Sequence, residues 1–399
     1  MSDCRIGVVT TSYPRHPADA AGRFVAELCG WLAERGHEVQ VLAPHPAASE
    51  HPGVEVHGLR YALRPRLLYG AGAPDNLARS PAAWAQAPLF TARLALACGL
   101  HHRSWDRMIS HWLLPCSLVV GQVARGLPHL AVAHSSDVHL LGRLPGGAVL
   151  LRALARPRTG LVLTSEALRA VLLPLSRDRR AGTLVETAPV IRMGIDHCRL
   201  APADPRQAAR LRLAYGLGPA SRLVLFVGRL VPVKGVDWLV RALAWLGRRD
   251  VTLVALGQGP EHARLEALAA RLRVPARFPG LVGPVQRDAW LSAADLLAMP
   301  SVELSDGRSD AAPVALLEAM GQGLPVVASR SGGAAELIRD GDNGLLVPPG
   351  EVGPLAAALR RLLDNEALRQ RLGQAARRTA AEHTWDQVGA RLRGLLMDL

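Results

Sequence analysis

Aromatic residues are scarce in this chain of 399 residues, making up 4% of a sequence whose net charge is +13. A nucleic-acid-binding surface interleaves basic clusters with aromatic side chains, and neither that pattern nor an RNA- or DNA-binding signature occurs. The sequence therefore predicts no nucleic-acid partner. Its positive charge favours a phosphorylated substrate or an anionic membrane surface instead.

Long apolar runs are missing as well. No uncharged stretch reaches the roughly 18 apolar residues of a membrane-spanning helix, and the first residues lack the sections of a secretory signal. The five cysteines are odd in number and show no CxxC spacing, which indicates reduced thiols. These absences, with 49% hydrophobic residues, predict a globular cytoplasmic protein.

Lysine is almost absent, since Lys234 stands alone beside 46 arginines. The background of the chain therefore strongly prefers arginine. A compact ammonium and a planar guanidinium are not interchangeable in a binding site. A single lysine in this background indicates either chance or a site that requires an ammonium, and the motif around Lys234 favours the site.

Two series of strand and helix patterns follow one another along the chain, joined near 198–220 by a segment rich in Ala, Pro, Asp and Arg. Strands that alternate with helices form parallel sheets covered by helices on both faces. We predict an α/β fold with two doubly wound domains, 1–198 and 199–380. A last helix within 381–399 is predicted to pack back toward the first domain, and the stretch 58–104 predicts only irregular helix.

The loop after the first strand of the second domain combines a glycine with two cations. Gly228 lets a ligand approach the backbone, and Arg229 and Lys234 lie five residues apart beside a helix N-terminus. Two cations so placed would hold a diphosphate. The next strand-to-helix loop contains Gly257 and Gly259, which fit a ligand contact and a tight turn equally well.

Two carboxylates flank the start of a helix in the segment 300–327. Asp310 precedes Pro313, which suits the first turn of a helix, and Glu318 lies about two turns inside. A carboxylate within the mostly apolar segment 314–320 is costly to bury unless it binds a partner. Paired hydroxyls of a ribose or a hexose fit such acceptors, so we interpret both carboxylates as ligand-binding groups.

The second half of the chain carries short motifs in a specific order: GRL(x)4KG at 228–235, GxGP at 257–260, LLEAM at 316–320, GLPVVAS at 323–329 and NGLLVPP at 343–349. This set resembles glycosyltransferase family 4, and segments such as TSYPRHP and AHSSDV extend the resemblance over nearly the whole chain. Members of that family are retaining enzymes of the GT-B fold, with two Rossmann-like domains that face a central cleft. The resemblance therefore implies a transferase that uses a nucleotide-sugar donor and needs no metal or other cofactor.

The resemblance assigns the donor site mainly to the second domain. Arg229 and Lys234 would hold the donor diphosphate, Glu318 the nucleotide ribose and Asp310 the transferred sugar. Asp310 departs from the family, which usually has glutamate there, so its charge lies roughly one methylene further back. The other donor contacts that the resemblance implies are Gly22, Gly228, Gly257, Gly259, Leu281, Val282, Ala312, Pro313 and Val314.

The resemblance assigns the acceptor to the first domain. His134, at the end of a strand, would lie beside the transferred sugar and take part in catalysis. His111 and Asp137 would bind the acceptor, although a structural role fits these two residues and Trp112 equally well.

The implied reaction is transfer with retention to a lipid-linked or saccharide acceptor, in cell-surface polysaccharide or glycoconjugate biosynthesis. Two alternatives stay open: another GT-B chemistry, such as nucleotide-sugar epimerisation or phosphorolysis, and a catalytically weak sugar-nucleotide-binding protein. An NAD-dependent oxidoreductase is excluded because the first loop lacks GxGxxG. We further hypothesise peripheral attachment to the inner face of the membrane through Arg60, Arg64 and Arg66, with a genomic preference for arginine as the competing explanation.

Overall fold

The computed structural model describes residues 4–16, 19–45, 49, 51–69, 72–200, 204–218, 220–305, 307–310 and 314–399. The chain divides into two compact units. The first comprises the residues up to Gly194 together with Trp385–Leu399, and the second comprises Ile195–Thr384. The changes of unit thus fall after 194 and after 384, whereas the predicted changes are after 198 and after 380.

The first unit is built on a six-stranded sheet in which every strand is parallel to its neighbours, in the order β3-β2-β1-β4-β5-β6. Ile6, Val8 and Val9 of its central strand are completely buried, as expected for a parallel sheet covered on both faces. The strands are β1 (Arg5–Val9), β2 (Glu38–Ala43), β3 (Val54–Gly58), β4 (Arg107–His111), β5 (His129–Ala133) and β6 (Thr159–Leu163).

Among the described residues up to 194, α-helices lie between these strands or follow the last of them. They are α1 (Arg23–Ala33), α2 (Ala73–Arg79), α3 (Pro81–His101), α4 (Leu118–Val123), α5 (Ser135–Arg143), α6 (Gly147–Leu154), α7 (Glu166–Leu172) and α8 (Arg179–Glu186).

The second unit repeats the architecture with the parallel order β12-β11-β10-β7-β8-β9. Its strands are β7 (Arg222–Val227), β8 (Val251–Leu256), β9 (Ala276–Gly280), β10 (Leu296–Met299), β11 (Val326–Ser329) and β12 (Leu345–Val347). Its helices are α9 (Pro205–Ala214), α10 (Val236–Leu246), α11 (His262–Arg271), α12 (Pro284–Ala293), α13 (Val314–Gly321), α14 (Gly332–Leu337), α15 (Val352–Asp364) and α16 (Glu366–Ala381). The predicted α/β class with two doubly wound sheets is confirmed.

The last helix, α17 (Trp385–Met397), belongs to the first unit and packs on α1. Trp385 Nε1 donates to Glu27 at 3.0 Å, and Trp31 Nε1 donates to Asp386 at 3.1 Å. Gly389 is required at this contact because a Cβ there would lie 2.7 Å from the Trp31 ring. The end of the chain is therefore an integral part of the first unit.

The prediction of irregular helix over 58–104 was wrong for most of that stretch. The segment Pro81–His101 is one helix, α3, with Pro88 inside it. Its apolar residues do not segregate to one face: Phe90 and Leu94 are buried, whereas Leu96 and Leu100 are exposed. The mixed pattern and the proline conceal the helical period in the sequence. Among the helices that the structure describes, none has the length and hydropathy of a membrane span.

Candidate active site

The central strands of the second unit define a switch point in its sheet. The chain continues to one side after β7 and to the other side after β10, and these two strands are neighbours. Ligands of open α/β sheets bind beyond the carboxyl ends of the strands at such a point. The loop after β7 contains Gly228, Arg229 and Lys234, and the segment after β10 contains Ser301 and Asp310. The topology therefore directs the predicted donor residues to one place.

Lys234 and Asp310 form an ion pair between these two loops, with 2.5 Å from Nζ to Oδ2. The side chains are 13% and 15% exposed, so solvent ions screen the pair little. Ser301 Oγ donates to the same carboxylate oxygen at 3.4 Å. Gly235 makes the approach of the loops feasible, because a Cβ there would lie 2.0 Å from the carbonyl oxygen of Pro300. The lone lysine is thus held at the switch point by an aspartate.

Close packing against the preceding loop explains the two glycines after β8, Gly257 and Gly259. A Cβ at Gly257 would lie 1.9 Å from the carbonyl oxygen of Gly228, and one at Gly259 would lie 2.1 Å from that of Leu230. Leu230 N donates to the carbonyl of Gln258 at 2.9 Å, which fixes the two loops side by side. The tight-turn interpretation therefore accounts for both glycines, and their contact with a donor stays a prediction.

Glu318, on α13, is buried in a cluster of four charges. Its Oε1 lies 3.1 Å from Arg199 Nη1 and 3.2 Å from Arg287 Nη1. Asp288 lies 3.2 Å from Arg199 Nη1 and 3.6 Å from Arg287 Nε, and burial raises its pKa. Sequence reasoning identified the carboxylate but neither arginine, because nothing in the spacing of α12 or of the segment 197–200 indicates that these residues meet α13.

The other predicted donor residues of the second unit lie in the loops after β7 and β9 and at the start of α13. Arg229 is exposed, Leu281 is about half exposed, and Val282 and Val314 are partly buried. Ala312 and Pro313 lie outside the residues that the structure describes. Within the described chain, no group of three His, Cys, Asp or Glu side chains is arranged to hold a metal ion, and metal independence stays a prediction.

The first unit has the corresponding switch point between β1 and β4. Gly22 follows β1 and precedes α1 with a left-handed φ of 67°, and a Cβ there would lie 2.2 Å from the carbonyl oxygen of Ser12. His111 ends β4, and His134 follows β5 and caps α5. The predicted residues of the first domain are therefore also at the carboxyl edge of their sheet, which is where a ligand is expected.

His111 and His134 form a buried pair, with 3.2 Å between His111 Nδ1 and His134 Nε2. Phe24 packs against both rings at 5.9 and 5.4 Å, and Trp112 lies 4.5 Å from His134. Burial lowers the pKa of His111 to about 3 and that of His134 well below its usual range. Both imidazoles are therefore neutral at pH 7, so they act as hydrogen-bonding groups and not as cations.

Asp137 holds this region together from α5. Its Oδ1 accepts from the backbone N–H of His134 at 3.0 Å and its Oδ2 from that of Leu113 at 2.5 Å. Burial raises the pKa of Asp137 to about 7, although these hydrogen bonds act in the opposite direction. The carboxylate is 3% exposed and is bound to the protein backbone through both oxygens. The structural role is therefore the better interpretation of Asp137, and acceptor binding by this residue stays a prediction.

The buried histidines predict a loss of stability in mild acid. Burial lowers the pKa of His129, whose Nε2 lies 2.7 Å from Ser110 Oγ, to about 4, and that of His111 to about 3. The unfolded chain binds a proton on each near pH 6.5, whereas the folded chain does so only below about 4. Each buried histidine therefore lowers the free energy of unfolding by roughly 1.4 kcal/mol per pH unit as pH falls from 6.5 to 4. Asp137, whose pKa burial raises to about 7, takes up a proton in the folded chain over the same range and offsets one histidine. Because His111, His129 and His134 are all buried, we expect a net fall.

Urea unfolding of the full chain at several pH values between 7.5 and 4.5 measures this slope. We expect His129→Gln to reduce the slope by about one proton, since an amide does not titrate. An equal slope in the wild type and in His129→Gln would show that His129 is not the group that takes up the proton.

The known proteins that this chain resembles in sequence are glycosyltransferases. Residues 221–365 match a family described as Glycosyl transferases group 1. The D-inositol 3-phosphate glycosyltransferase 2 of Catenulispora acidiphila is 31% identical, over 93% of this chain and 88% of its own length. A GDP-mannose-dependent alpha-(1-6)-phosphatidylinositol monomannoside mannosyltransferase of Mycolicibacterium smegmatis is 38% identical, over 51% of this chain and 54% of its own length.

Solved structures share the whole architecture. The sucrose-phosphate synthase of Thermosynechococcus elongatus has a TM-score of 0.77 and 21% identity, over 99% of this chain and 98% of its own. Anabaena HepE in complex with UDP and glucose has a TM-score of 0.74 and 21% identity, over 99% of this chain and 100% of its own. At this level of identity the likeness concerns the fold.

Proposed function

Because the chain belongs to the group 1 glycosyl transferases and is a family 4 type transferase of the GT-B fold, we propose that it moves a sugar from a nucleotide-sugar donor to a glycan or lipid-linked acceptor, with retention at the anomeric carbon. The observation that carries this proposal is the Lys234–Asp310 pair at the switch point of the second sheet. A donor bound there would have its diphosphate beside the ammonium of Lys234.

The charges of this site support departure of a nucleoside diphosphate. As the bond between the anomeric carbon and the leaving phosphate oxygen breaks, negative charge accumulates on that oxygen. A fixed ammonium stabilises this charge more in a partly dry site than in water. The acceptor hydroxyl then forms the new bond on the same face, and its proton passes to the leaving phosphate oxygen. The protein supplies orientation and charge in this scheme, with no nucleophile of its own.

The nucleotide and the acceptor class are proposed from the relatives. Their names include inositol phosphate and phosphatidylinositol mannoside acceptors and a GDP-mannose donor, and HepE was solved with UDP. We propose a polyol phosphate or lipid-linked glycoside as acceptor, within cell-surface glycoconjugate or polysaccharide synthesis. The reaction is proposed to need no metal, so transfer in EDTA should equal transfer in Mg²⁺.

A thermal-shift screen of UDP-, GDP- and ADP-sugars tests the donor class. Binding to the folded state alone stabilises by about 2.7 kcal/mol at a hundredfold excess over Kd, which raises Tm by several degrees. We expect one base to give a clear shift, and no shift with any of them would contradict the proposal. Two assays separate transfer from the alternative GT-B chemistries. Incubation with the donor that gives a shift, without acceptor, tests for an epimer of the donor. Incubation of the glycoside product with phosphate tests for release of a sugar phosphate.

Membrane attachment is supported by a surface of the first unit that combines charge with exposed apolar side chains. Leu89, Leu96 and Leu100 recur on α3 at spacings of seven and four residues and are 52%, 53% and 72% exposed, with Arg93 among them. Residues that recur in this way share one face of a helix. We name these four residues the α3 face.

The predicted basic loop is attached to the same helix. Gln86 of α3 donates to the carbonyl of Arg64 at 3.0 Å and accepts from the backbone N–H of Arg66 at 2.7 Å. Leu63, just before this pair, is fully exposed. Exposed leucines beside arginines fit the boundary between the headgroups and acyl chains of an anionic bilayer. We therefore propose that the α3 face and the loop with Arg60, Arg64 and Arg66 bind an anionic membrane surface.

Liposome sedimentation measures this attachment. We expect the wild type to bind vesicles with 30% phosphatidylglycerol at least tenfold better than neutral phosphatidylcholine vesicles, since each arginine near the surface contributes about 1 kcal/mol. Leu96→Asp with Leu100→Asp should abolish binding. Leu213→Asp, at a position 73% exposed in the second unit, is the matched control and should not change it. Equal binding of the wild type to both vesicle types would contradict the proposal.

A further inference from the structure

The cluster around Glu318 contains two arginines, Arg199 and Arg287, that are not among the predicted donor-binding residues. The guanidinium groups of Arg199 and Arg287 are 9% and 12% exposed, and both approach the same carboxylate oxygen, Oε1. Arg199 follows shortly after the change of unit at 194, and Arg287 lies on α12, whereas Glu318 lies on α13. Three separate segments of the second unit therefore meet at one carboxylate.

Burying four charged side chains together contributes little to the free energy of folding. Buried ion pairs lose most of their Coulomb attraction to desolvation, and apolar residues of similar volume are often as stable. Arg287 Nε and Nη2 are buried and have no hydrogen-bond partner among the residues that the structure describes, which adds to the cost. Stability alone therefore does not account for the cluster.

The cluster does fix the direction of one functional group. A glutamate side chain has three rotatable bonds, and two guanidinium groups on Oε1 restrict them. A carboxylate that receives ribose hydroxyls must be held within about 0.5 Å to bind them well. Asp288 balances the charge, so two cations face two anions and the carboxylate of Glu318 is not left as an excess charge.

We propose that Arg287, together with Arg199, is a positioning residue that orients the Glu318 carboxylate for the ribose hydroxyls of a nucleoside diphosphate. This inference rests on the proposed function, because it takes Glu318 as the ribose-binding group. Arg287 acts through Glu318 and has no contact with the nucleotide of its own. Its removal should therefore affect only that part of the affinity which the ribose hydroxyls contribute.

Calorimetric titration with ribonucleotides and their 2′,3′-dideoxy analogues tests this inference. The probes are the ribonucleotides UDP, GDP and ADP and the dideoxy form of each. We expect the wild type to bind the better ribonucleotide at least tenfold more tightly than its dideoxy form, as for hydrogen bonds to a charged group. In Arg287→Met this ratio should fall to near one, while the affinity for the dideoxy form stays that of the wild type. Arg287→Lys, which keeps the charge, should give an intermediate ratio.

Arg369→Met is the matched control. Arg369 is a buried arginine of α16 that donates to the carbonyls of Leu362 and Leu363, so its loss lowers stability without touching Glu318. Its ribose to dideoxy ratio should equal that of the wild type. An unchanged ratio in Arg287→Met and Arg287→Lys, or an equal loss for both nucleotide forms, overturns the inference and leaves the proposed function intact. A wild type that binds none of UDP, GDP and ADP overturns the proposed function itself.

Discussion

Replacing Lys234 by alanine is expected to lower the turnover number for sugar transfer by about a hundred- to a thousandfold. Removal of one fixed group that stabilises a developing negative charge typically has an effect of this size. Lys234 is the only lysine of the chain, and it lies at the switch point in a partly dry site where its charge is strongly felt. Steady-state assays with the donor found by thermal shift measure the effect.

The alanine variant also leaves Asp310 without its cation, and this second effect has to be separated from the first. The double variant Lys234→Ala with Asp310→Asn removes the unpaired charge. We expect the double variant to regain stability lost by the single one, because a buried charge without a partner is costly, but not to regain turnover. Lys234→Arg keeps a cation of different shape and should retain part of the activity. Recovery of turnover in the double variant would show that the unpaired aspartate, and not the missing ammonium, caused the loss.

Replacing Glu318 by alanine is expected to reduce the free energy of unfolding by about 3–5 kcal/mol. The cluster would then hold two cations, Arg199 and Arg287, and one anion, Asp288, which leaves one positive charge in excess within it. Breaking a buried ion pair by removing one partner usually has this cost. For a unit of this size, the melting temperature should fall by roughly 10 °C. Urea unfolding and thermal melting measure the change.

Two further variants identify the cause of that loss. In Glu318→Leu with Arg287→Leu, one cation and one anion remain, so we expect this double variant to be more stable than Glu318→Ala. Glu382→Ala, at an exposed position at the end of α16, should change stability by less than about 0.5 kcal/mol. If the double variant is as unstable as the sum of its single variants, charge balance is not what Glu318 contributes.

The fold was largely predictable because strands and helices leave periodic signals. The runs that form β4, β5, β7 and β8 are short and mostly apolar, which is the pattern of a buried parallel strand. β3 and β9 carry a weaker strand signal, because β3 is only partly buried and β9 contains Pro279. The helix α3 was missed because its apolar residues lie on more than one face.

The sequence by itself determined the chemical types present at the candidate site and their position after strands. A lone lysine after β7, an aspartate after β10 and a glutamate in α13 are local facts, since loop position follows from the strand and helix pattern. The family follows from the same local motifs, as the relatives bear out.

Only the tertiary structure decided which charges meet. Lys234 and Asp310 are 76 residues apart, and Arg199 lies far along the chain from Glu318. Such pairs depend on strand order and helix packing, which carry no local signal, whereas the strength of each pair depends on burial, which is a property of the folded unit. The sequence contains the charges, but their partners and their dielectric surroundings exist only once the sheet is assembled.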